Sequence, residues 1–261
     1  MTSAYCVAVS AGAACLFCAL SGSALAQAQE SQDEILLTRH RPYESPQHFA
    51  LELRFSPFTP DIDKDPALGG QTPYQNTFGT PAHLLFGVEF DWQAARIPHV
   101  GTIGPGVGIS YATMSRPAQF SMPHNGSTTS GENTSLEILP LYAVGVLRGD
   151  AIWRELHVPL VPYAKLGIGL AFWRASNTVG TSHFQGVAGL GHTFGTQFGL
   201  GLGLNLNVFD PYAARNFDES VGVNNTYAYA EWTLSDLTGL AQSDPLRVGG
   251  TYWTFGLAFE F

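Results

Sequence analysis

The sequence is poor in charge, in long hydrophobic runs and, beyond its first residues, in cysteine. Charged residues make up 13% of the chain, against roughly 25% in ordinary soluble domains. All three cysteines lie within residues 1–26, so the rest of the chain has no thiol chemistry. After residue 26, no apolar run reaches the roughly 18 residues that a membrane-spanning helix needs. These absences exclude a disulfide scaffold and argue against a helical membrane protein.

The acidic residues exceed the basic ones, giving a formal net charge of −9 without any basic cluster. A nucleic-acid surface needs a basic patch, so we expect no nucleic-acid partner. Asp61, Asp63 and Asp65 have the spacing that opens an EF-hand loop, but Pro66 and Thr72 stand at its glycine and glutamate positions. A solvated acidic loop is therefore predicted here, and no metal or other cofactor is expected.

The start of the chain has the pattern of a secretory signal. Residues 7–20 form an apolar stretch, and Ala24-Leu25-Ala26 matches a small-x-small cleavage site. No Lys or Arg precedes the apolar stretch, which departs from the usual pattern. We predict a signal peptide over residues 1–26, an N-terminal periplasmic lead over 27–46, and a β-barrel over 47–261.

What the sequence has in abundance is alternation of apolar residues with polar or small ones. This is the period of a strand whose two faces meet different surroundings. The pattern predicts eight antiparallel strands, an even number as in bacterial outer-membrane barrels, and ten is the alternative count. The predicted strands cover about 48–56, 83–93, 100–115, 134–147, 160–173, 192–209, 225–235 and 251–261.

The connections between these strands fall into two classes. Shorter ones are predicted on the periplasmic side, at about 94–99, 149–159 and 210–224, and longer ones on the outer side, at about 57–82, 116–133, 174–191 and 236–250. Asp210 before Pro211 predicts a short helical turn, because an acidic N-cap followed by proline favours a helix start.

The chain ends on an aromatic pattern. Thr254, Gly256, Phe259 and Phe261 resemble the C-terminal insertion signal of bacterial outer-membrane barrels, polar-x-Gly-x-x-aromatic-x-aromatic. The resemblance implies contact with the barrel-assembly machinery, with outer-membrane lipid and with lipopolysaccharide. Together with the signal peptide, it favours a transmembrane barrel in the bacterial outer membrane over a soluble barrel or sandwich, which alternation alone also allows.

Several further motifs resemble one known family. Leu139-Pro140-Leu141-Tyr142, Asp210-Pro211 and the Ile97-Pro98-His99 turn before Gly104-Pro105-Gly106 are similar to segments of an uncharacterised family of outer-membrane barrels, known chiefly from myxobacteria. The resemblance spans nearly all of the chain after the signal and implies fold and location. Because that family has no established activity, it implies no catalytic residue.

Charged residues within the predicted strands are expected to point into the barrel, opposite the apolar rows. In the fourth strand, Leu136, Ile138 and Tyr142 are accordingly assigned to the lipid face. Glycine rows such as 199–203 should make room inside for large side chains, with Tyr227 and Tyr229 over them. The predicted lumen charges are Glu52, Arg54, Glu89, Asp91, Glu137, Lys165 and Glu231.

An eight-stranded barrel is just wide enough to be filled by its own side chains. We therefore predict a non-enzymatic, monomeric barrel with a filled lumen, whose long outer loops carry a structural or surface-interaction role. A narrow cation-preferring channel is the alternative, because acidic residues outnumber basic ones in the predicted lumen. A lipid-modifying enzyme is a third hypothesis, but no spacing ties Ser182, His183 or His192 to an acid.

Overall fold

The computed structural model describes residues 47–124, 127–184, 186–240, 242 and 245–261. The predicted signal peptide and periplasmic lead lie outside these residues. Within the described ranges, no helix is both long and apolar enough to cross a membrane.

Eight antiparallel strands close into a barrel, as the alternation predicts. Each strand pairs with the next along the chain, and the first pairs with the last to complete the wall. The barrel begins and ends at the same end, called here the terminal end; the other is the opposite end. The strands are β1 (Phe49–Phe58), β2 (His83–Trp92), β3 (Gly101–His124), β4 (Ser127–Arg148), β5 (Leu160–Asn177), β6 (Leu190–Asn205), β7 (Asn225–Asp236) and β8 (Gly250–Glu260).

Alternate residues of each strand point into the barrel and away from it. In β1, Glu52 and Arg54 are buried, whereas Phe49 and Phe55 are exposed. The outward rows form an apolar belt around the wall, and the closed ladders leave no strand edge within it, so the belt can face lipid. The belt includes Phe86, Phe90, Val107, Ile109, Leu166, Ile168, Leu200, Leu202, Trp253, Phe255 and Leu257.

β4 presents the face opposite to the prediction. Leu136, Ile138 and Tyr142 are buried inside the barrel. Glu137 lies outside, where its carboxylate accepts a hydrogen bond from the Tyr111 hydroxyl at 3.3 Å. Both rows of this strand are largely apolar, so alternation does not distinguish its faces. The outward row contains Leu139, Leu141, Ala143 and Leu147.

β3 and β4 are much longer than the other strands. β2 pairs with β3 only as far as Ala112, and β5 pairs with β4 only as far as Ser135. Residues 116–124 and 127–133, which belong to a predicted loop, therefore form most of a two-stranded ribbon that extends beyond the wall. We call these residues the ribbon. Its sequence is rich in Ser, Thr and Asn and has no apolar row, so it gives no strand signal.

Helices occur in three of the connections. They are α1 (Pro73–Phe78), α2 (Ala151–Leu156) and α3 (Pro211–Val221). α3 begins as predicted, with the Asp210 carboxylate accepting hydrogen bonds from two backbone N–H groups, but it has 11 residues rather than a single turn. β6 also ends earlier than predicted, because the Asn205 side chain caps a short 3-10 turn over Leu206–Val208.

The half of the interior at the opposite end is an apolar core, called here the apolar half. Inward side chains of the wall meet side chains from two connections that fold onto them. Tyr74 and Phe78 come from α1, and Leu237 and Val248 come from the segment between β7 and β8. The remaining members are Phe58, Leu85, Ala112, Met114, Leu136, Ile138 and Ala171.

Candidate functional site

The half of the interior at the terminal end contains a buried network of ionisable side chains, called here the charged half. Each of these side chains belongs to a residue that is at most 5% exposed. The carboxylates are Glu52, Glu89, Asp91 and Glu231, and the cations are Arg54, Arg148 and Lys165.

Arg54 lies among three carboxylates from three strands. Its Nη1 is 2.8 Å from Glu52 and 2.9 Å from Glu89, and its Nη2 is 2.5 Å from Glu231. Lys165 Nζ reaches the same three carboxylates, at 2.7, 2.7 and 3.2 Å. The network thus connects β1, β2, β5 and β7 across the lumen, and every one of these charges has an oppositely charged partner, as buried charges require.

Arg148 is the cation that the sequence analysis missed. Its guanidinium lies 2.6 Å from Glu52 and also pairs with Asp91. Arg148 lies just beyond the predicted end of this strand at 147, and it is on the row opposite to that of Glu137. Charge balance was the available signal, since Arg54 and Lys165 are too few for the buried carboxylates. Of the predicted lumen charges, Glu52, Arg54, Glu89, Asp91, Lys165 and Glu231 lie inside, and the assignment of Glu137 is wrong.

Two tyrosines lie over glycines and enclose the network. The Tyr142 hydroxyl donates to Glu89 at 2.7 Å, and its ring lies where a β-carbon at Gly108 would be. Tyr163 covers Gly201 in the same way, and Lys165 Nζ lies 5.0 Å from its ring centroid. These glycines are needed because any side chain there would overlap a phenol ring.

The tyrosine positions predicted from the glycine row are correct in one case. Tyr227 packs beside Gly203, as expected. Tyr229 instead lies over Gly256 of the other neighbouring strand, and its hydroxyl donates to the Leu53 carbonyl at 3.2 Å. A strand has two neighbours, so a sequence row alone does not choose between them.

Little free space remains around the network. One cavity is lined by Glu52 and Arg148, and another by Arg54 and Tyr142, and each has a volume of about 10 Å³. A volume of this size holds about one water molecule. The charged half is therefore packed with side chains at these points, and neither cavity has room for a hydrated ion.

Glu52, Glu89 and Asp91 are the residues that most resemble a metal-ligand set, since their carboxylate oxygens lie within 4.8 Å of one another. Arg148 pairs with Glu52 and Asp91, and Lys165 pairs with Glu52 and Glu89. A metal ion placed here would lie beside these fixed positive charges. The arrangement therefore favours the internal salt bridges over metal binding.

The acidic segment that resembles an EF-hand start has local structural roles. Asp61 pairs with Lys64 at 2.8 Å, and Asp65 accepts a hydrogen bond from Ala67 N–H at 2.9 Å. The Asp63 carboxylate accepts hydrogen bonds from two N–H groups of α1, including that of Tyr74 at 2.7 Å. Burial, followed by the Asp63 charge, raises the pKa of the Tyr74 hydroxyl to about 12.

The two histidines of the enzyme hypothesis contact no carboxylate in the described part of the chain. His183 Nδ1 donates to the Thr181 carbonyl at 2.8 Å. His192 lies outside the wall, with its ring 6.3 Å from that of Phe172 and 5.6 Å from that of Phe194. Their contacts supply no acid to orient a catalytic histidine.

The residues of the predicted insertion signal lie at the seam where β8 meets β1. Thr254 and Gly256 face the interior, and Phe259 and Phe261 face outward. The Phe261 carbonyl accepts a hydrogen bond from Phe49 N–H at 2.8 Å, and Phe261 N–H donates to the Phe49 carbonyl at 3.0 Å. These contacts complete the wall, while the role of the four residues in insertion stays a prediction.

The location of the protein follows from its closed wall, its apolar belt and its buried charges. An apolar exterior around a closed wall, with charged side chains buried inside, is the arrangement by which β-barrels span bacterial outer membranes, and it reverses that of a soluble barrel. The chain is an outer-membrane β-barrel.

No protein-family model matches the chain, and no curated protein matches it. Among solved structures, it is similar to Ail, the attachment invasion locus protein of Yersinia pestis, in complex with the heparin analogue sucrose octasulfate. The identity is 14%, the TM-score is 0.40, and 84% of this chain and 99% of that chain are covered. It is also similar to the outer membrane protein OprG from Pseudomonas aeruginosa. The identity is 12%, the TM-score is 0.41, and 84% of this chain and 97% of that chain are covered. For the N-terminal β-barrel domain of Pseudomonas aeruginosa OprF, the identity is 13%, the TM-score is 0.37, and 83% of this chain and 100% of that chain are covered. The likeness is one of fold.

Proposed function

We propose that the protein is a non-enzymatic, non-conducting barrel that displays its ribbon and connections for interaction at the cell surface. The observation that carries this proposal is the filled interior. The charged half is held by mutual ion pairs around cavities of about 10 Å³. The apolar half is completed by side chains of α1 and of the segment between β7 and β8. An ion crossing the barrel would have to displace both.

The proposed orientation places the opposite end outside the cell. Outer-membrane barrels have short periplasmic turns and longer extracellular loops. The ribbon and the 24-residue segment 59–82 lie at the opposite end. At roughly 3.3 Å per residue, the nine residues from Arg116 to His124 extend by about 30 Å. The ribbon is therefore the element best placed to meet a partner beyond the membrane surface.

The proposed partners follow from these surfaces. The apolar belt would contact outer-membrane lipid, and the connections at the opposite end would lie among lipopolysaccharide. The C-terminal segment that contains Phe259 and Phe261 would be recognised by the barrel-assembly machinery. The belt runs around the whole wall, so we propose that the barrel functions as a monomer.

Planar-bilayer recordings test the proposal against the channel alternative. The unmodified barrel should give no steady openings, because two kinds of packing close its lumen. Steady cation-selective openings would establish the channel instead. The enzyme alternative has its own readout: mass spectrometry of lipopolysaccharide and phospholipid incubated with the barrel. Lipid changed by the unmodified protein but not by His183→Ala would overturn the non-enzymatic assignment.

A further inference from the structure

Helix α3 lies against the outside of the barrel wall at the terminal end. The ring of Phe217, in the middle of the helix, packs edge-on against that of Phe259, with the centroids 6.5 Å apart. Phe259 belongs to the outward row of β8. α3 therefore lies on the same side of the wall as the apolar belt.

The base of α3 is fixed to the wall by hydrogen bonds. The Asn207 amide group donates to the Asn224 carbonyl at 2.7 Å, and its oxygen accepts from Thr226 N–H at 3.2 Å. These bonds tie together the two chain segments that flank the helix. Asp210 caps the start of the helix, and Gly222 ends it in the left-handed conformation at φ 77°. The position of α3 is thus set by the chain on both sides.

α3 is amphipathic. Ala213, Phe217 and Val221 recur every four residues and form an apolar stripe on one face. Arg215 and Glu219 lie on the other face. The stripe is not fully covered by the wall, since Phe217 is 38% exposed and Val221 is 64% exposed. A further aromatic residue, Phe209, is 72% exposed just before the helix.

A groove of about 450 Å³ lies between part of the helix and the wall, beside the contact of Phe217 with Phe259. Thr226 lines it from the wall, Leu206 from the 3-10 turn after β6, and Ala214 and Phe217 from the helix. Polar side chains, including Asn216 and Ser220, stand along it. Its volume lies within the range of roughly 300–1,000 Å³ that is typical of small-molecule sites.

We propose that α3 is an interfacial helix and that the groove beneath it holds an acyl chain of a phospholipid from the leaflet at the terminal end. The observation that selects this occupant is continuity with the belt. Phe217 contacts Phe259, which belongs to a row that faces lipid. Apolar surface that continues a lipid-facing row at the membrane boundary is stabilised by lipid, while the charged face of the helix stays in water.

Spin labels at two neighbouring positions of α3 test this placement. Ser220 lines the groove, whereas Glu219 points away from it. Each is replaced by Cys and labelled in a chain whose Cys6, Cys15 and Cys18 are Ser, and the barrel is reconstituted in phosphatidylethanolamine–phosphatidylglycerol vesicles. Paramagnetic relaxation should show the Ser220→Cys label more accessible to oxygen than to a nickel chelate, and the Glu219→Cys label the reverse. Equal nickel accessibility of both labels would show a water-filled groove and overturn the proposal.

Lipid retention gives a second readout that does not depend on labelling. Native mass spectrometry of barrels extracted from the same vesicles should show bound phospholipid on the unmodified protein and at least about tenfold less on Phe217→Ser. Tyr212→Ser is the matched control, because Tyr212 is 75% exposed and does not line the groove. Equal retention by all three proteins would contradict the acyl-chain site. A third outcome would assign the groove to a second copy of the chain. In that case, native mass spectrometry would show two chains without bound lipid, and the Ser220→Cys label would still be inaccessible to the nickel chelate.

Discussion

The two halves of the interior are filled by opposite kinds of side chain. In the charged half, every member of the network comes from the wall itself, and the ion pairs join strands to one another. In the apolar half, the wall supplies only part of the core, and Tyr74, Phe78, Leu237 and Val248 are brought in by connections. One half therefore ties the wall together, and the other fastens the connections onto the wall.

The comparison shows that burial alone does not decide what a narrow lumen holds. Charges are tolerated where strands on other sides of the lumen supply opposite charges at 2.5–3.2 Å. Hydrophobic packing takes over where the connections fold in and add apolar area. The charged half depends on geometry and leaves an expensive unpaired ion when one partner is lost. The apolar half depends on volume and loses contacts in proportion to what is removed.

The largest effect should come from placing a charge in the wrong half. Met114 is fully buried in the apolar half, whose members carry no charge. In Met114→Lys, an unpaired ammonium would cost several kcal/mol, so refolding into lipid vesicles, measured by the heat-dependent shift in gel mobility, should largely fail. Met114→Leu conserves volume and should cost less than about 1.5 kcal/mol. Equal refolding of the two variants would show that the halves do not differ in their tolerance of charge.

Removing a central cation should break the charged half. Arg54→Ala leaves Glu52, Glu89 and Glu231 with fewer partners, and the barrel should lose about 3–5 kcal/mol of unfolding free energy, measured by urea titration in vesicles. Arg96→Ala is the control, because the Arg96 side chain is 46% exposed and 4.0 Å from Asp150. It should change stability by about 1 kcal/mol or less. Similar losses in both variants would mean that the interior ion pairs are not structural.

Truncating an anchor of the apolar half should release a connection and spare the wall. In Phe78→Ala, local opening of the segment 59–82 should become about 3 kcal/mol easier, because a large buried side chain is lost. Amide hydrogen exchange should then accelerate in that segment alone. Val179→Ala, at a residue that is 90% exposed, should leave exchange unchanged. Faster exchange throughout the wall in Phe78→Ala would show that the two halves unfold as one unit.

The smallest effect on stability should come from the titration of the Tyr74 hydroxyl, at the edge of the apolar half. The pKa of Tyr74 is raised from 10.0 to about 12 in the folded protein. Because the protonated form is favoured on folding, this contribution to stability is present below pH 10 and is lost as pH rises toward about 12. The difference in tyrosinate absorbance between the unmodified barrel and Tyr74→Phe should show a midpoint near pH 12. A midpoint near pH 10 would mean that the hydroxyl is solvated.

The sequence predicts most of the wall because seven strands have faces of different polarity. In β6 and β8, unbroken apolar rows fixed both the strand and its outward face. β4 shows where this reasoning ends. Its two rows are both apolar, so the face was reversed: Glu137 was assigned to the inside and lies outside, and the inward Arg148 was not predicted at all.

The remaining differences arise from contacts between distant parts of the chain. The sequence of the ribbon has no period-2 apolar pattern, so nothing in it marks a pair of strands. Tyr74 and Phe78 lie in a segment with no sustained period, and only the closed wall gives them a core to enter. Asp210 and Pro211 predicted the start of α3, but its length and its contact with Phe259 depend on the wall beside it.

The pairing of β2 with β3 ends well before β3 itself does, and this matters where many copies of the protein share one membrane. In the described part of the chain, no strand pairs with this side of β3 beyond Ala112, and such edges readily recruit strands from other molecules. Pro117 and Pro123 lie on this stretch, and the register against β4 shifts after Pro117. Proline has no N–H to offer, and an irregular register makes an edge a poor template. We therefore expect this edge to be a poor template for strand pairing between copies of the protein.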